Sequence, residues 1–357
     1  MTIAQQRTLR LALGTALSMA FCQAINWDMS FVAPVITLTF LGLPLPCLKP
    51  AAGIKFLILL TVSLLIGTAL LPVLIYYEGA GLLLLSMSIF FAFYITAKGV
   101  PAVLGTFLTV GLALTAGVGT VSIDALLGLI KGVVIGAAVG LLFYWLAHGL
   151  MPDSRGVAPA RPPAAKRPAP PPPPPPEIAR RHAFRSLAVV FPILVWFLLS
   201  GSSASYAAVL IKVASMGQQV TTGDTAKAAK SRLWSTVIGG VGAVIGWQVL
   251  SIWPNLLIYV LVVALAGLVI GRRLFAGAAL APTGSTWSYG YLTMIVVLAP
   301  AVLDSNTGSA AGAAFWSRLM MFGGATLYSV VAVAVFDAFF RPGKAELASD
   351  DESPAPA

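Results

Sequence analysis

Three cations interrupt stretches that are otherwise apolar: Lys131, Lys212 and Arg318. A charge held in hydrocarbon is costly, so such residues face a bundle interior or a wet cavity and mark sites and pathways. Lys131 and Arg318 are repeat mates, since Lys131 is followed at plus five by Gly136 and Arg318 at plus five by Gly323. Each sits about two turns inside the outer end of the last apolar segment of its half. An equivalent cation in each half points to one anion site, or a pair, near a common axis. The competing reading is a structural ion pair. Asp124 stands seven residues before Lys131, on the same helical face two turns away.

Lys212 has no mate, because the matching position near Thr37 is polar and uncharged. It is either a snorkelling lysine or part of a substrate path. Lys55 and Arg232 form a second pair, each opening the third helix of its half. They are either surface anchors of topology or the groups that first capture an anion at the inner mouth. Proton coupling needs a group that titrates during a cycle, and carboxylates do so when partial burial raises their pKa toward neutrality. Asp124, Asp28 and Asp304 border the outer ends of spans and are the candidates; Glu78 falls in a hydrated loop. The alignment of Asp124 with Lys131 puts it first, although the lysine charge opposes its protonation.

These residues sit in a chain of 357, 58% hydrophobic and 10% charged. A soluble domain carries roughly 25% charged residues, so lipid is the expected solvent. The net charge of +10 then reflects cytoplasmic loops, and no nucleic-acid partner is expected. A helix needs about 20 residues to cross the hydrocarbon core. Spans are expected near 8–25, 29–46, 54–75, 80–97, 100–118 and 123–149, and again near 184–201, 205–219, 231–252, 255–271, 286–303 and 312–340. With both termini inside, no Lys or Arg falls in an external loop, while Asp28, Glu78, Asp124 and Asp304 lie outside. The positive-inside rule then fixes orientation and an even count in each half. The expected fold is an all-α integral membrane protein of about twelve transmembrane helices. They form two parallel six-helix repeats with both termini inside, an arrangement used by many transporters.

Four regions follow: a first repeat over 1–150, a basic proline-rich cytoplasmic linker over 151–182, a second repeat over 183–341 and a disordered acidic tail over 342–357. The run Pro170–Pro176 favours polyproline II and is either a stiff tether or a partner's recognition segment. Residues 1–25 imitate a signal peptide, but a similar start recurs at Arg180–Leu199, where none could be cut, so a first spanning helix is the reading adopted. Gly132, Gly136 and Gly140, and Gly239, Gly242 and Gly246, mark faces where helices approach closely. Aromatics near the span ends read as interface belts. Trp316 lies two residues before Arg318, the wrong spacing for one helical face. Cys22 and Cys47 form no CxxC, and His148 and His182 are not arranged with other ligands. No metal, no cofactor and no enzyme signature are expected, and no ATPase motif is present.

Each half resembles the membrane bundle of the fusaric acid resistance and aromatic acid exporter group. Arg7-Thr8-Leu9-Arg10 and Trp27 match its basic opening and the aromatic near the outer end of the first helix. Arg232 with Gly239, Gly242 and Gly246 matches a later helix of the form Arg-x-x-Gly-Thr-x-x-Gly, and Lys55 with Gly67 and Thr68 is a looser copy. Longer members carry cytoplasmic domains after each bundle, so this chain resembles a compact branch. The resemblance implies efflux of aromatic or other organic acids across the bacterial inner membrane, with help from a periplasmic adaptor of the membrane-fusion type. A homo-oligomer is compatible with it. The expectation is therefore a secondary exporter of small organic anions, with the carboxylate held by Lys131 and Arg318 and gathered by Lys55 and Arg232. A passive anion channel, or a structural subunit of an envelope complex, are the alternatives.

Overall fold

The computed structural model describes residues 2–27, 29–100, 102–152, 174–200, 225–276, 279–306 and 311–340. Asp28, Lys212 with its expected span 205–219, most of the proline-rich linker and the acidic tail lie outside the described residues.

Eleven helices are described: α1 (Ile3–Ala24), α2 (Val32–Leu41), α3 (Pro50–Tyr76), α4 (Glu78–Ala97), α5 (Ala102–Gly119), α6 (Ile123–Leu150), α7 (Pro176–Ser200), α8 (Thr225–Ile252), α9 (Leu256–Leu274), α10 (Gly284–Asn306) and α11 (Ala311–Phe339). Local chemistry sets their starts. Thr2 and Gln5 form a reciprocal capping box at α1, which satisfies donors that the first turn leaves orphaned. Pro50 opens α3, where a missing N–H is harmless. The side chains of Ser122 and Asn255 cap α6 and α9.

Eight helices, α3, α4 and α6 to α11, are long and apolar enough to cross a membrane. Their outward faces agree with that. On α9, Leu257, Leu261, Leu265 and Val269 are exposed one turn apart, and on α3 Ile54, Ile58, Val62 and Ile66 do the same. The first helix is inverted relative to a soluble one: Thr15, Ser18 and Gln23 are buried while Leu13, Leu17 and Phe21 face outward. Apolar stripes this extensive are stable only against lipid. The chain is a multi-pass, all-α membrane protein.

Two details depart from the sequence expectation. The span expected over 29–46 is helical only over Val32–Leu41, about 15 Å of helix and too short to cross. Pro44, Pro46 and Pro50 remove backbone donors and hold the residues before them extended, so the chain leaves α2 as an extended segment. That segment is held on α6: the Leu48 N–H donates to the Tyr144 hydroxyl at 2.8 Å, and Trp145 Nε1 donates to the Leu48 carbonyl at 2.9 Å. Second, Phe275–Ala276 and Ala279–Leu280 pair as a short antiparallel ladder, β1 with β2, in the register Phe275 to Leu280.

Helix contacts follow a reciprocal pattern. α1 lies along α9, and α7 lies along α4; α3 packs on α5, and α8 packs on α10. The glycine seams are where contact is closest. Gly132, Gly136 and Gly140 of α6 receive Met29, Val32 and Ile36. A Cβ on Gly239 of α8 would run into the Gly290 carbonyl and Thr293 of α10. Gly239→Leu should therefore destabilise the fold by about 3 kcal/mol. Gly128→Leu, on an open face of α6, should stay within about 0.5 kcal/mol of the parent. Thermal denaturation in detergent compares the two.

Candidate anion site

Arg232 lies two turns into α8, and hydroxyl contacts fix that level of the helix against its neighbours. Ser231 and Thr286 of α10 are 2.6 Å apart, and Thr236 and Thr326 of α11 are 2.9 Å apart. Ser235 donates to the Arg232 carbonyl at 2.8 Å. Arg232 itself is only 4% exposed, and its Nε and Nη1 are buried with no hydrogen-bond partner. Arg185 of α7 and Tyr289 of α10 are close enough to act electrostatically on the guanidinium. Of these two neighbours, the permanently charged one is itself a cation.

Arg185, also buried, is differently placed. Its Nη2 donates to Asp337 Oδ2 of α11 at 2.6 Å. Arg181, one turn earlier on α7, reaches Asp337 Oδ1 at 4.0 Å. Among the described residues the cluster holds three arginines and one carboxylate, and the carboxylate is engaged with α7. Burying a charge without a counter-charge costs several kcal/mol, and each buried unmade hydrogen bond adds to that. Arg232 carries both penalties. Such a group is relieved by an anion that brings acceptor oxygens to its N–H groups.

The other residues singled out by sequence fall into three situations. Arg318 and Asp304 come together: Arg318 Nη1 donates to Asp304 Oδ2 at 2.6 Å across α11 and α10, with the side chains 12% and 26% exposed. Lys131 and Asp124 are exposed on α6 and form no ion pair with each other. Asp124 occupies the first turn of α6, where a carboxylate is stabilised by the helix dipole. Lys55 is exposed while its mate Arg232 is buried, so equivalent positions in the two halves have unlike surroundings. Asp28 lies outside the described residues.

Sequence reasoning missed Arg185 and Asp337. Yet Ile178-Ala179 and Arg185 repeat Ile3-Ala4 and Arg10 at a constant offset of 175, and Arg10 is buried too. A paired basic position in two helix starts was a usable signal. So was an acid inside the apolar run Val331–Phe340, since intramembrane carboxylates mark sites. In the first half, Arg10 Nε donates to the Met151 carbonyl at 2.7 Å.

An apolar cavity of about 290 Å³ lies between α2, α3 and α5 of the first half and α10 of the second. Leu64, Val110, Leu114 and Leu292 are among its walls, and Tyr289 borders it. Tyr289 is thus common to this cavity and to the surroundings of Arg232. Toward the opposite ends of α8 and α10, a cavity of about 520 Å³ is lined by Gln23, Trp247, Asn255 and Tyr259. Among the described residues, no group of His, Cys, Asp and Glu is placed to hold a metal.

Residues 7–147 match the family described as a protein of unknown function, DUF2955. No curated protein and no solved structure matches the chain. The DUF2955 region covers nearly all of α1 to α6. It contains Lys55, Asp124 and Lys131 but ends before Arg185, Arg232 and Asp337. The uncompensated arginine therefore belongs to the half of the chain that lies beyond the DUF2955 match.

Proposed function

We infer that this protein is a secondary exporter of small organic anions in the bacterial inner membrane, and not an enzyme. The observation that carries the reading is Arg232: a guanidinium buried in the helix bundle with two unpaired nitrogens and, among the described residues, no carboxylate of its own. The nearby apolar cavity, joined to it through Tyr289, suits an anion with an apolar or aromatic body. The polar cavity toward the other ends of α8 and α10 supplies an exit-side vestibule. Arg232 takes the role first given jointly to Lys131 and Arg318, because Arg318 has a counter-charge and Lys131 is exposed. Lys55 and Lys131 remain as surface cations that raise the local anion concentration.

The same reading includes twelve crossings in two parallel repeats with both termini cytoplasmic, the second of them made by α2 together with the extended segment that follows it. The reciprocal packing of α1 on α9 and α7 on α4, together with the absence of Lys and Arg from the external loops, supports it. Likeness to the fusaric acid resistance and aromatic acid exporter group adds a periplasmic adaptor as partner; a homo-oligomer is a compatible state, and with no ATPase motif in the sequence an ion gradient, such as that of protons, is the energy source. For coupling, Asp124 is better placed than Asp304, since Asp304 is engaged with Arg318 at 2.6 Å.

Counterflow of radiolabelled benzoate in proteoliposomes tests the function. Wild-type vesicles should exchange benzoate faster than protein-free vesicles, Arg232→Gln should fall to the protein-free rate, and Lys55→Gln should retain exchange. Equal rates with and without wild-type protein would defeat the reading.

A further inference from the structure

Helix α1 of the first half of the chain and α9 of the second run antiparallel along one seam. A Cβ on Gly267 would meet Ala12, one on Gly271 would meet Thr8, and the Tyr259 hydroxyl reaches Met19. Glycine lets the two backbones approach closely there. At the Arg272 end of the seam the side chains are larger, and a cavity of about 380 Å³ opens between the helices. Its walls include Gln5, Thr8, Leu9, Leu268, Arg272 and Phe275. The Arg7 guanidinium lies 5.9 Å from the centre of the Phe275 ring and steadies that wall. The polar groups on offer are donors. Gln5 Oε1 accepts from the Thr2 N–H at 2.8 Å, which leaves the amide N–H groups of Gln5 for a ligand. Thr8 adds a hydroxyl. Arg272 is exposed and makes no ion pair or hydrogen bond with the described residues. Neither helix contains an Asp or Glu. A guanidinium so placed is suited to a phosphate, which it can grip through two parallel N–H groups.

Two apolar tracks leave this cavity in one direction. On α1, Leu9 lines the cavity, and Leu13 and Leu17 follow it at four-residue spacing and face outward. On α9, Leu268 lines the cavity, and Leu265 and Leu261 follow it and also face outward. Because the helices are antiparallel, both tracks run from the cavity toward the middle of the bundle. We propose that this cavity binds one anionic phospholipid, its phosphate on Arg272, Gln5 and Thr8 and an acyl chain along the two leucine tracks. Basic pockets between membrane helices hold acidic headgroups in this way. A soluble phosphate would use the same donors and leave the leucines uncovered. A zwitterionic lipid would bring a second cation toward Arg272. The bound lipid would bridge the first half of the chain to the second. The proposal is independent of the role given to Arg232.

The test is lipid binding to the purified full-length protein in neutral detergent, read by native mass spectrometry and by thermal denaturation. The probes are dioleoyl phosphatidylglycerol, dioleoyl phosphatidylcholine and soluble glycerol phosphate. Wild type should retain phosphatidylglycerol in preference to phosphatidylcholine. It should also melt higher with phosphatidylglycerol present, since a ligand that binds only the native state stabilises it. Arg272→Gln should bind phosphatidylglycerol about ten-fold more weakly, the scale of one lost charge-assisted contact. Arg273→Gln removes the same charge one residue away, outside the cavity walls, and should stay within about two-fold of wild type, as expected for an exposed, screened charge. Both arginines are exposed, so neither substitution strips the fold of a buried contact. Equal binding of the two lipids by wild type, or equal losses in the two variants, overturns the proposal. Glycerol phosphate binding as tightly as phosphatidylglycerol, with the same dependence on Arg272, would make this a site for free phosphate and overturn the lipid assignment.

Discussion

Replacing Arg232 with methionine should raise the thermal stability of the ligand-free protein and abolish its capture of organic anions. Both effects have one cause. The Arg232 charge is buried with no carboxylate partner among the described residues, and its Nε and Nη1 donors are unmet. Substituting a side chain of similar length and no charge removes the desolvation penalty, so a gain of about 2 kcal/mol is expected, within the range seen when buried ionic groups give way to apolar ones. Sites kept for function are often held at the expense of stability in this way. Arg185→Met, one helix away, should act in the opposite direction. It strips Asp337 of its 2.6 Å partner and should cost about 3 kcal/mol. Thermal denaturation of both variants in detergent, without added anion, separates the two arginines. A loss of stability in Arg232→Met would mean that its charge is compensated, and the anion site would lose its physical basis.

Neutralising Asp304 alone should be among the most damaging single changes in the bundle. Asp304→Asn leaves the largely buried Arg318 guanidinium facing an amide in place of the carboxylate 2.6 Å away. Breaking one side of a buried pair costs about 3–5 kcal/mol; with Asp304 about a quarter exposed, roughly 2–3 kcal/mol is the fair expectation after solvent screening. Arg318→Gln should cost a similar amount. The double variant Asp304→Asn/Arg318→Gln should recover most of the loss, because no uncompensated charge remains. A double-mutant cycle on melting temperature reads this directly. Strictly additive losses would show that the two side chains do not act as a pair.

The long spans were legible in the sequence because hydropathy over 20 residues reports them whatever they pack against. The glycine runs on α6 and α8 were legible too, and they do lie in helix contacts. The break after α2 was written in Pro44 and Pro46, but an apolar run surrounds them, and hydropathy alone extends the helix through it. The ladder of β1 with β2 joins only two residues from each strand, too few for an alternating pattern to register. Site residues were harder for a different reason. Lys55 and Arg232 open equivalent helices, and only tertiary packing decides that one is exposed and the other buried. Lys131 and Arg318 likewise match in sequence, yet Arg318 has Asp304 within reach across α10, and among the described residues Lys131 has no such ion pair. A repeat reports equivalent places in the chain, while burial and counter-charge depend on the helix that packs alongside.

The most direct measurement is calorimetric binding of benzoate to purified wild type, Arg232→Met and Lys55→Met. The account predicts saturable binding to wild type and to Lys55→Met, and none to Arg232→Met even though that variant is folded and more stable. Equal affinity in wild type and Arg232→Met would contradict it.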